Sequence, residues 1–341
     1  MRVAVIGCGL VSEKHIPYLL NMEEVDIVGV CDLDEVKANE CATRFGIKNA
    51  FSDISKMLAN ANPEAVHILT PPHTHQDLSI QSMQAGAHVL VEKPMALNLG
   101  EAEEMIRAAR QYGVFLSVCH NFLFEPTVVA AKALAASGDL GRILSIETYW
   151  RIFRAGPIDR YQNFSWMHQL PGGVFHEVAA HPLYLQMEFL KNLKVVSAIG
   201  KKYDNSLPGK FDELRVLFDS ATGMASLTIS ANACPRQVFM RIYGSKMALH
   251  LDLTTNSMLK IRKIGKGRAA TALVNIDQSI QMLFKTIASS FQAIRGRFFP
   301  GHEKLIKNFY QNIKEGRAPD VDAEDGKSVV ALLDQIWKEL K

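Results

Sequence analysis

Short apolar segments alternate with amphipathic segments over residues 1–120. Residues 3–6 (VAVI) form a compact apolar run, which is typical of a strand buried in a parallel sheet. Further strands are predicted at 25–31, 65–69, 89–91 and 114–119. Helices are predicted at 13–22, 35–45, 76–85 and 99–112. This alternation predicts an α/β fold with a doubly wound parallel sheet, whose strands all end at the edge where ligands bind.

The pattern changes after residue 141, where apolar and polar residues alternate along several segments. Strands are predicted at 142–153, 194–203, 213–219, 223–231, 238–243, 247–252 and 257–264. The chain has 341 residues, which is more than one core usually supports. We therefore predict two domains, residues 1–120 and 121–341.

The composition is that of a globular protein, with 48% hydrophobic and 21% charged residues. A net charge of +3 is too small to indicate nucleic-acid binding. The five cysteines include no CxxC pair, so neither a disulfide framework nor a zinc site is expected. Because the pattern contains no signal peptide and no run long enough to span a bilayer, we expect a cytoplasmic protein.

A glycine-rich turn, Gly7-x-Gly9-x-x-Ser12, lies between the first predicted strand and the first predicted helix. Gly7 permits a tight turn, Gly9 lets the backbone approach a pyrophosphate, and Ser12 is small enough for helix–strand packing. Leu10 and Val11 lie where the helix begins, and the free N–H groups of a helix N-terminus attract phosphate. The turn therefore predicts a dinucleotide site of the Rossmann type. A tight turn without a ligand is the alternative.

Asp32 ends the second predicted strand, 23 residues after Gly9. A carboxylate at this point accepts hydrogen bonds from the adenosine ribose hydroxyls and repels a ribose phosphate. We therefore expect NAD as the cofactor, with NADP less favoured.

Two longer motifs follow the third and fourth predicted strands. They are LTPPHTH at residues 69–75 and AGAHVLVEKP at residues 85–94. Together with NFLFEP at 121–126, SGDLGR at 137–142 and Gly172-Gly173, they resemble the Gfo/Idh/MocA oxidoreductase family. The resemblance implies a Rossmann domain followed by an α/β domain with a large, mostly antiparallel sheet. It also implies hydride transfer between a nicotinamide and a sugar, cyclitol or nucleotide-sugar-like hydroxyl or carbonyl group.

The resemblance assigns the chemistry to Lys93 and His181. Lys93 would stabilise negative charge on the substrate oxygen, and His181 would take the hydroxyl proton. Glu177, four residues before His181, would orient the histidine or bind the substrate. The family usually has Asp at the position of Glu177 and often Asp at that of Tyr184. A metal site formed by His176, Glu177 and His181 is the alternative, and we expect no metal.

Other residues of the motifs are expected to line the cofactor. By resemblance, Thr70, Pro71 and His75 form one wall, while Glu92 approaches the nicotinamide ribose or orients Lys93. Asn121 follows the fifth predicted strand and could bind cofactor or substrate. His73 is expected to be an exposed loop histidine. If loop arginines line the pocket, the substrate is acidic or phosphorylated; the candidates are Arg151, Arg154 and Arg160.

Residues 265–300 lie outside the family pattern. Residues 260–317 hold 12 lysines and arginines against 3 acidic residues. Apolar residues recur at helical spacing from Ile280 to Ile294, so we predict an extra helix there. It could cover the open face of the sheet or form a subunit contact. Contact with a membrane surface is the less favoured alternative.

The sequence leaves three functions open. The main prediction is a sugar dehydrogenase. A non-catalytic sensor with the same fold would use NAD as a ligand, and a third possibility is an enzyme that recycles a tightly held cofactor between two substrates. We expect a homo-oligomer, either a dimer or a tetramer, formed through the exposed sheet.

Overall fold

The computed structural model describes residues 1–152, 165–205, 209–233, 235, 237–262, 267–294 and 300–340. These residues form two compact units. The first unit contains Met1–Asn121 and His302–Ala331, and the second contains Phe122–Gly301 and Leu332–Lys341. The domain boundary after residue 120 stays a prediction, although the first unit also takes in a C-terminal segment that we had placed in the second domain.

The first unit is built on alternating strands and helices. Its N-terminal elements are β1 (Arg2–Ile6), α1 (Ser12–Leu20), β2 (Asp26–Cys31), α2 (Glu35–Phe45), β3 (Ala50–Phe51), α3 (Ile54–Ala61), β4 (Ala65–Ile68), α4 (His75–Gln84), β5 (His88–Val91), α5 (Leu99–Tyr112) and β6 (Leu116–Val118).

All six strands are parallel and follow the order β3-β2-β1-β4-β5-β6. The central strand β1 is buried from Val3 to Ile6, which accounts for its unbroken apolar run. The predicted doubly wound parallel sheet is therefore confirmed. The pattern missed β3 and α3 because β3 has only two residues and α3 buries only Met57.

The second unit begins with a helix and then forms a large sheet. Its elements are α6 (Pro126–Ala136), β7 (Ile143–Arg151), α7 (Ser165–His168), α8 (Val174–Phe189), β8 (Lys194–Lys201), β9 (Glu213–Asp219), β10 (Met224–Ser230), β11 (Val238–Gly244), β12 (Met247–Asp252), β13 (Ser257–Arg262) and α9 (Arg268–Ile294). Two further helices, α10 (Gly301–Glu315) and α11 (Ala323–Glu339), close the chain.

The second sheet has the order β13-β12-β11-β7-β10-β9-β8. Every neighbouring pair is antiparallel except β7 and β10, so the mostly antiparallel sheet is confirmed. Burial alternates along its strands: Leu214, Val216 and Phe218 of β9 are buried, whereas the residues between them are not. Helix α8 packs against β7 and β10 on the buried face.

Helix α9 confirms an extra helix in the segment 265–300. It packs against β13, the edge strand of the sheet. Within the described ranges, no helix is long and apolar enough to cross a membrane. The predicted strand 142–153 ends at Arg151, and Arg154 and Arg160 lie outside the described residues.

Candidate active site

The glycine turn connects β1 to α1 at the edge of the sheet where the strands end. Gly7 has a φ of +99°, which side-chain-bearing residues rarely adopt. A Cβ atom on Gly7 would lie 2.9 Å from the carbonyl carbon of Leu69, so two backbones meet closely here. A Cβ atom on Gly9 would meet nothing within 4 Å. The space beside Gly9 is therefore open to a ligand.

The N-terminus of α1 fits a pyrophosphate. Its N-cap residue, Val11, makes no side-chain cap hydrogen bond, and Leu10 is 48% exposed. The Ser12 hydroxyl donates to the Gly9 carbonyl at 2.6 Å, which holds the turn in shape. An uncapped helix start beside a glycine with open space is the arrangement that accepts a dinucleotide phosphate.

Asp32 lies beside the same turn, directly after β2. One carboxylate oxygen accepts the N–H of Cys8 at 2.9 Å, and the other accepts the N–H of Asp34 at 3.0 Å. These bonds fix the orientation of the carboxylate and leave lone pairs for further donors. The residues therefore fit the ribose end of NAD as the sequence predicts.

The segment after β4 forms a wall near this edge. The Thr74 hydroxyl lies 2.7 Å from the Thr70 hydroxyl and 2.8 Å from the Pro71 carbonyl oxygen. His75 is fully buried; its ring nitrogens lie 2.8 Å from the Thr70 carbonyl oxygen and 3.0 Å from that of Pro94. Because both nitrogens face backbone carbonyls, His75 positions this wall. His73 is exposed, as expected.

Glu92 and Lys93 directly follow β5, and both residues are buried. The Glu92 carboxylate accepts the Lys93 backbone N–H at 3.1 Å and lies 3.2 Å from Nε2 of His15. Burial alone raises the pKa of Glu92, but the hydrogen bond and charge of His15, together with the charges of His302 and Lys93, hold the pKa well below its usual range. Glu92 is therefore a carboxylate at the sheet edge next to the lysine ammonium.

His15 links Glu92 to a buried chain of polar groups that sequence reasoning missed. Its Nδ1 atom lies 2.8 Å from Nδ1 of His67, and Nε2 of His67 lies 2.8 Å from the Tyr310 hydroxyl. His67 lies inside β4, and burial lowers its pKa well below the usual value. The only sequence signal is a histidine within an apolar strand, which usually indicates a hydrogen-bonded core residue.

Two further residues complete this cluster. His15, Glu92, Cys119 and His302 place their potential ligand atoms within 4.8 Å of one another. Burial raises the pKa of the Cys119 thiol and lowers that of His302 to about 4. Asn121, a predicted cofactor contact, lies 3.4 Å from His302 through its amide nitrogen. Among the described residues, the cluster that could hold a metal therefore lies in the first unit. His176, Glu177 and His181 are not part of it.

His181 lies on α8 of the second unit and is half-buried. Its ring stacks on Trp150 with centroids 5.4 Å apart, and its Nδ1 atom lies 2.9 Å from the Tyr184 hydroxyl. The Tyr184 hydroxyl also accepts the Phe122 N–H at 3.2 Å. These contacts fix the ring and define its orientation, which a proton-accepting histidine requires.

Glu177 lies one turn before His181 on α8 and is half-buried, so the predicted pair shares one stretch of helix. His176 points elsewhere: it is fully buried, and its Nδ1 atom accepts the indole N–H of Trp337 at 2.7 Å. The Arg151 guanidinium, proposed as a pocket group, donates to the Ala233 carbonyl.

The first unit has the fold and glycine turn of an NAD-binding oxidoreductase. Residues 1–120 match the model of the oxidoreductase family with an NAD-binding Rossmann fold, and residues 128–250 match the Gfo/Idh/MocA C-terminal domain. The chain belongs to the Gfo/Idh/MocA family, as the sequence motifs indicated.

Curated relatives and solved structures agree with this assignment. An uncharacterized oxidoreductase of Synechocystis sp. is 31% identical over 271 residues, which cover 74% of this chain and 71% of the relative. Myo-inositol 2-dehydrogenase of Thermotoga maritima is 22% identical, covering 97% of this chain and 94% of its own. The WlbA dehydrogenase of Bordetella pertussis, crystallised with NADH and UDP-GlcNAcA, has a TM-score of 0.80 and 22% identity, covering 99% and 95% of the two chains. The chain is an oxidoreductase, and NAD is its cofactor.

Proposed function

We propose that the protein transfers a hydride between NAD and a hydroxyl or carbonyl carbon of a sugar, cyclitol or nucleotide sugar. The observation that carries this proposal is the presence of Lys93 and His181 at the motif positions of a family whose relatives include an inositol dehydrogenase. Nucleotide sugars are included among the proposed substrates because a solved relative was crystallised with UDP-GlcNAcA.

The first unit would bind the cofactor. Gly7, Gly9, Leu10 and Val11 would receive the pyrophosphate, since this turn combines open space with uncapped helix N–H groups. Asp32 would accept the adenosine ribose hydroxyls. Glu92 and Asn121 would meet the nicotinamide half, with Thr70, Pro71 and His75 forming the adjoining wall.

Two side chains would serve the chemical step. Bound NAD supplies the hydride acceptor. The Lys93 ammonium would stabilise the alkoxide that develops on the substrate oxygen, and His181 would take the hydroxyl proton. Glu177 would orient His181 or bind a neighbouring substrate hydroxyl. In the reverse direction, His181 would return the proton to the oxygen of the reduced carbonyl.

The enzyme is favoured over a non-catalytic sensor because the relatives named for an activity are dehydrogenases. A sensor has no need for a lysine ammonium and an oriented histidine at the motif positions. We further propose that the enzyme works as a homo-oligomer in the cytoplasm, where the free thiols of Cys8, Cys31, Cys41 and Cys119 are stable.

A substrate panel tests this function. Neutral sugars, cyclitols, uronic acids and nucleotide sugars are incubated with NAD, and NADH absorbance is followed. Turnover of one class, reduced about 100-fold or more in Lys93→Met, is the expected result. The matched control, Lys48→Met, removes an exposed lysine of the same unit and should retain full activity. Loss of NADH binding in Lys93→Met would assign the lysine to cofactor binding instead.

A further inference from the structure

Helix α9 exposes an unusual number of large apolar side chains. Eight of them are between 47% and 66% exposed: Leu273, Ile276, Ile280, Met282, Leu283, Phe284, Ile287 and Phe291. Met282 lies on the opposite side of the helix, and the helical spacing of the other seven places them on one stripe. A surface helix normally turns such a stripe toward its own core.

The face that α9 turns toward its own sheet is mainly polar. Gln281 fixes the helix to the edge strand β13, because its side-chain oxygen accepts the Lys260 N–H and its nitrogen donates to the Lys260 carbonyl, both at 2.9 Å. Among the described side chains of α9, Ser289 is the one that is buried. Gln281 thus pairs with one backbone N–H and one carbonyl of the open sheet edge, while the apolar stripe faces outward.

We infer that this stripe binds the same stripe of a second copy of the chain. If a large apolar side chain offers roughly 200 Å² of surface, the seven side chains leave roughly 800 Å² uncovered, and a stable interface buries ~800 Å² on each partner. The positions Leu273, Ile276, Ile280, Leu283 and Ile287 alternate in steps of three and four residues. This is the spacing with which one helix packs along another.

The stripe is also symmetric about its centre. Leu273 and Ile287 each lie seven residues from Ile280, and Ile276 and Phe284 each lie four residues from it. In a two-fold pair, residue i meets residue j and residue j meets residue i. Two antiparallel α9 helices would therefore place Ile280 against its own equivalent and Leu273 against Ile287.

A second copy fits this surface better than a lipid bilayer does. A helix that lies on a membrane carries lysines and arginines on its polar face. Among the 27 residues of α9, the charged ones are Arg268, Asp277 and Lys285, and Asp277 accepts from the Gln281 side chain. Helix α9 therefore lacks the row of basic residues that a helix on a membrane surface carries.

Sedimentation of the full chain tests the inference. Ile280→Lys with Ile287→Lys should halve the mass of the assembly and raise its dissociation constant at least about 1,000-fold, because apolar burial is replaced by charge. The matched control, Thr271→Lys with Asn275→Lys, adds the same charge to exposed positions off the stripe and should leave the mass unchanged. Retained thermal unfolding and NADH binding show that each variant is folded.

A cross-link tests the symmetry. Ile280→Cys should form a covalent dimer under mild oxidation, whereas Asn275→Cys should not. Wild-type mass in the double-lysine stripe variant, or equal cross-linking at both cysteine positions, would overturn the inference. So would a monomeric wild type that sediments with phosphatidylcholine–phosphatidylserine vesicles through Ile280, since the occupant would then be a lipid surface.

Discussion

The Nδ1 atom of His181 lies 2.9 Å from the hydroxyl oxygen of Tyr184, one turn further along α8. The same hydroxyl accepts the backbone N–H of Phe122, so its position is fixed by the start of the second unit. Tyr184 stands where the family often has an aspartate. A neutral hydroxyl here orients the histidine without adding a negative charge beside it.

Tyr184→Phe removes this hydrogen bond and keeps the ring. When His181 takes up a proton, the Tyr184 oxygen is an acceptor for Nδ1–H, so its loss disfavours the imidazolium. We expect kcat to fall about 10-fold and the acidic limb of the pH–kcat profile to move to lower pH, with KM for NAD unchanged. Tyr203→Phe, at a tyrosine that is 74% exposed, is the control. An unchanged pH profile would remove Tyr184 as the positioning residue.

Alanine at Gly9 should weaken cofactor binding without lowering stability, whereas alanine at Gly7 should lower the stability of the fold. Gly9→Ala should leave the melting temperature unchanged, since its Cβ meets nothing within 4 Å, but should weaken NADH binding about 10- to 100-fold. Gly7→Ala should destabilise the fold by about 2 kcal/mol, because of its positive φ and the Leu69 backbone. Calorimetry and NADH fluorescence titration measure both effects. Full NADH affinity in Gly9→Ala would contradict the assigned pyrophosphate position.

Acid should destabilise the protein through its buried histidines. Burial lowers the pKa of His302 from 6.5 to about 4 and that of His120 to about 3. The unfolded chain therefore binds more protons than the folded chain below pH 6.5. The stability that the neutral, buried His302 contributes is fully present above that pH and is lost as pH falls toward 4. His302→Gln should flatten this decline by about 2 kcal/mol between pH 6.5 and 4, measured by urea unfolding. His73→Gln, at an exposed histidine, should keep the wild-type slope; equal slopes in the two variants would contradict the assignment.

The cluster of His15, Glu92, Cys119 and His302 should work without a metal. Both ring nitrogens of His15 already face hydrogen-bonding partners, His67 and Glu92, so the arrangement is explained by hydrogen bonds. We expect dialysis against EDTA to leave turnover and melting temperature unchanged. Stoichiometric zinc in the purified protein, with loss of stability on its removal, would contradict this expectation.

Much of the first unit could be predicted from sequence because its order is local. A run such as residues 3–6 defines a buried strand, and the glycine turn and Asp32 follow from their distances along the chain. The network of His15, His67 and Tyr310 could not be predicted in this way, since its last bond joins residues 243 positions apart. Such contacts depend on how the C-terminal segment returns to the sheet.

The stripe on α9 shows a different limit of the sequence pattern. Helical spacing from Ile280 to Phe291 correctly predicted a helix but gave no direction for its apolar face. Gln281, a polar residue in the middle of the pattern, decides that direction because it pairs with the backbone of Lys260 at the sheet edge. Side-chain bonding to an open edge is a tertiary property, and periodicity does not contain it.

Hydride transfer itself is tested by incubating the enzyme with NADH that carries deuterium on the nicotinamide and with a panel of oxidised sugars and nucleotide sugars, and by following the label with mass spectrometry. We expect one labelled hydroxyl carbon in the product of one substrate class, with the label lost in Lys93→Met and in His181→Asn. Tight NADH binding with no labelled product from any class would contradict hydride transfer and would favour a sensor that uses NAD as a ligand.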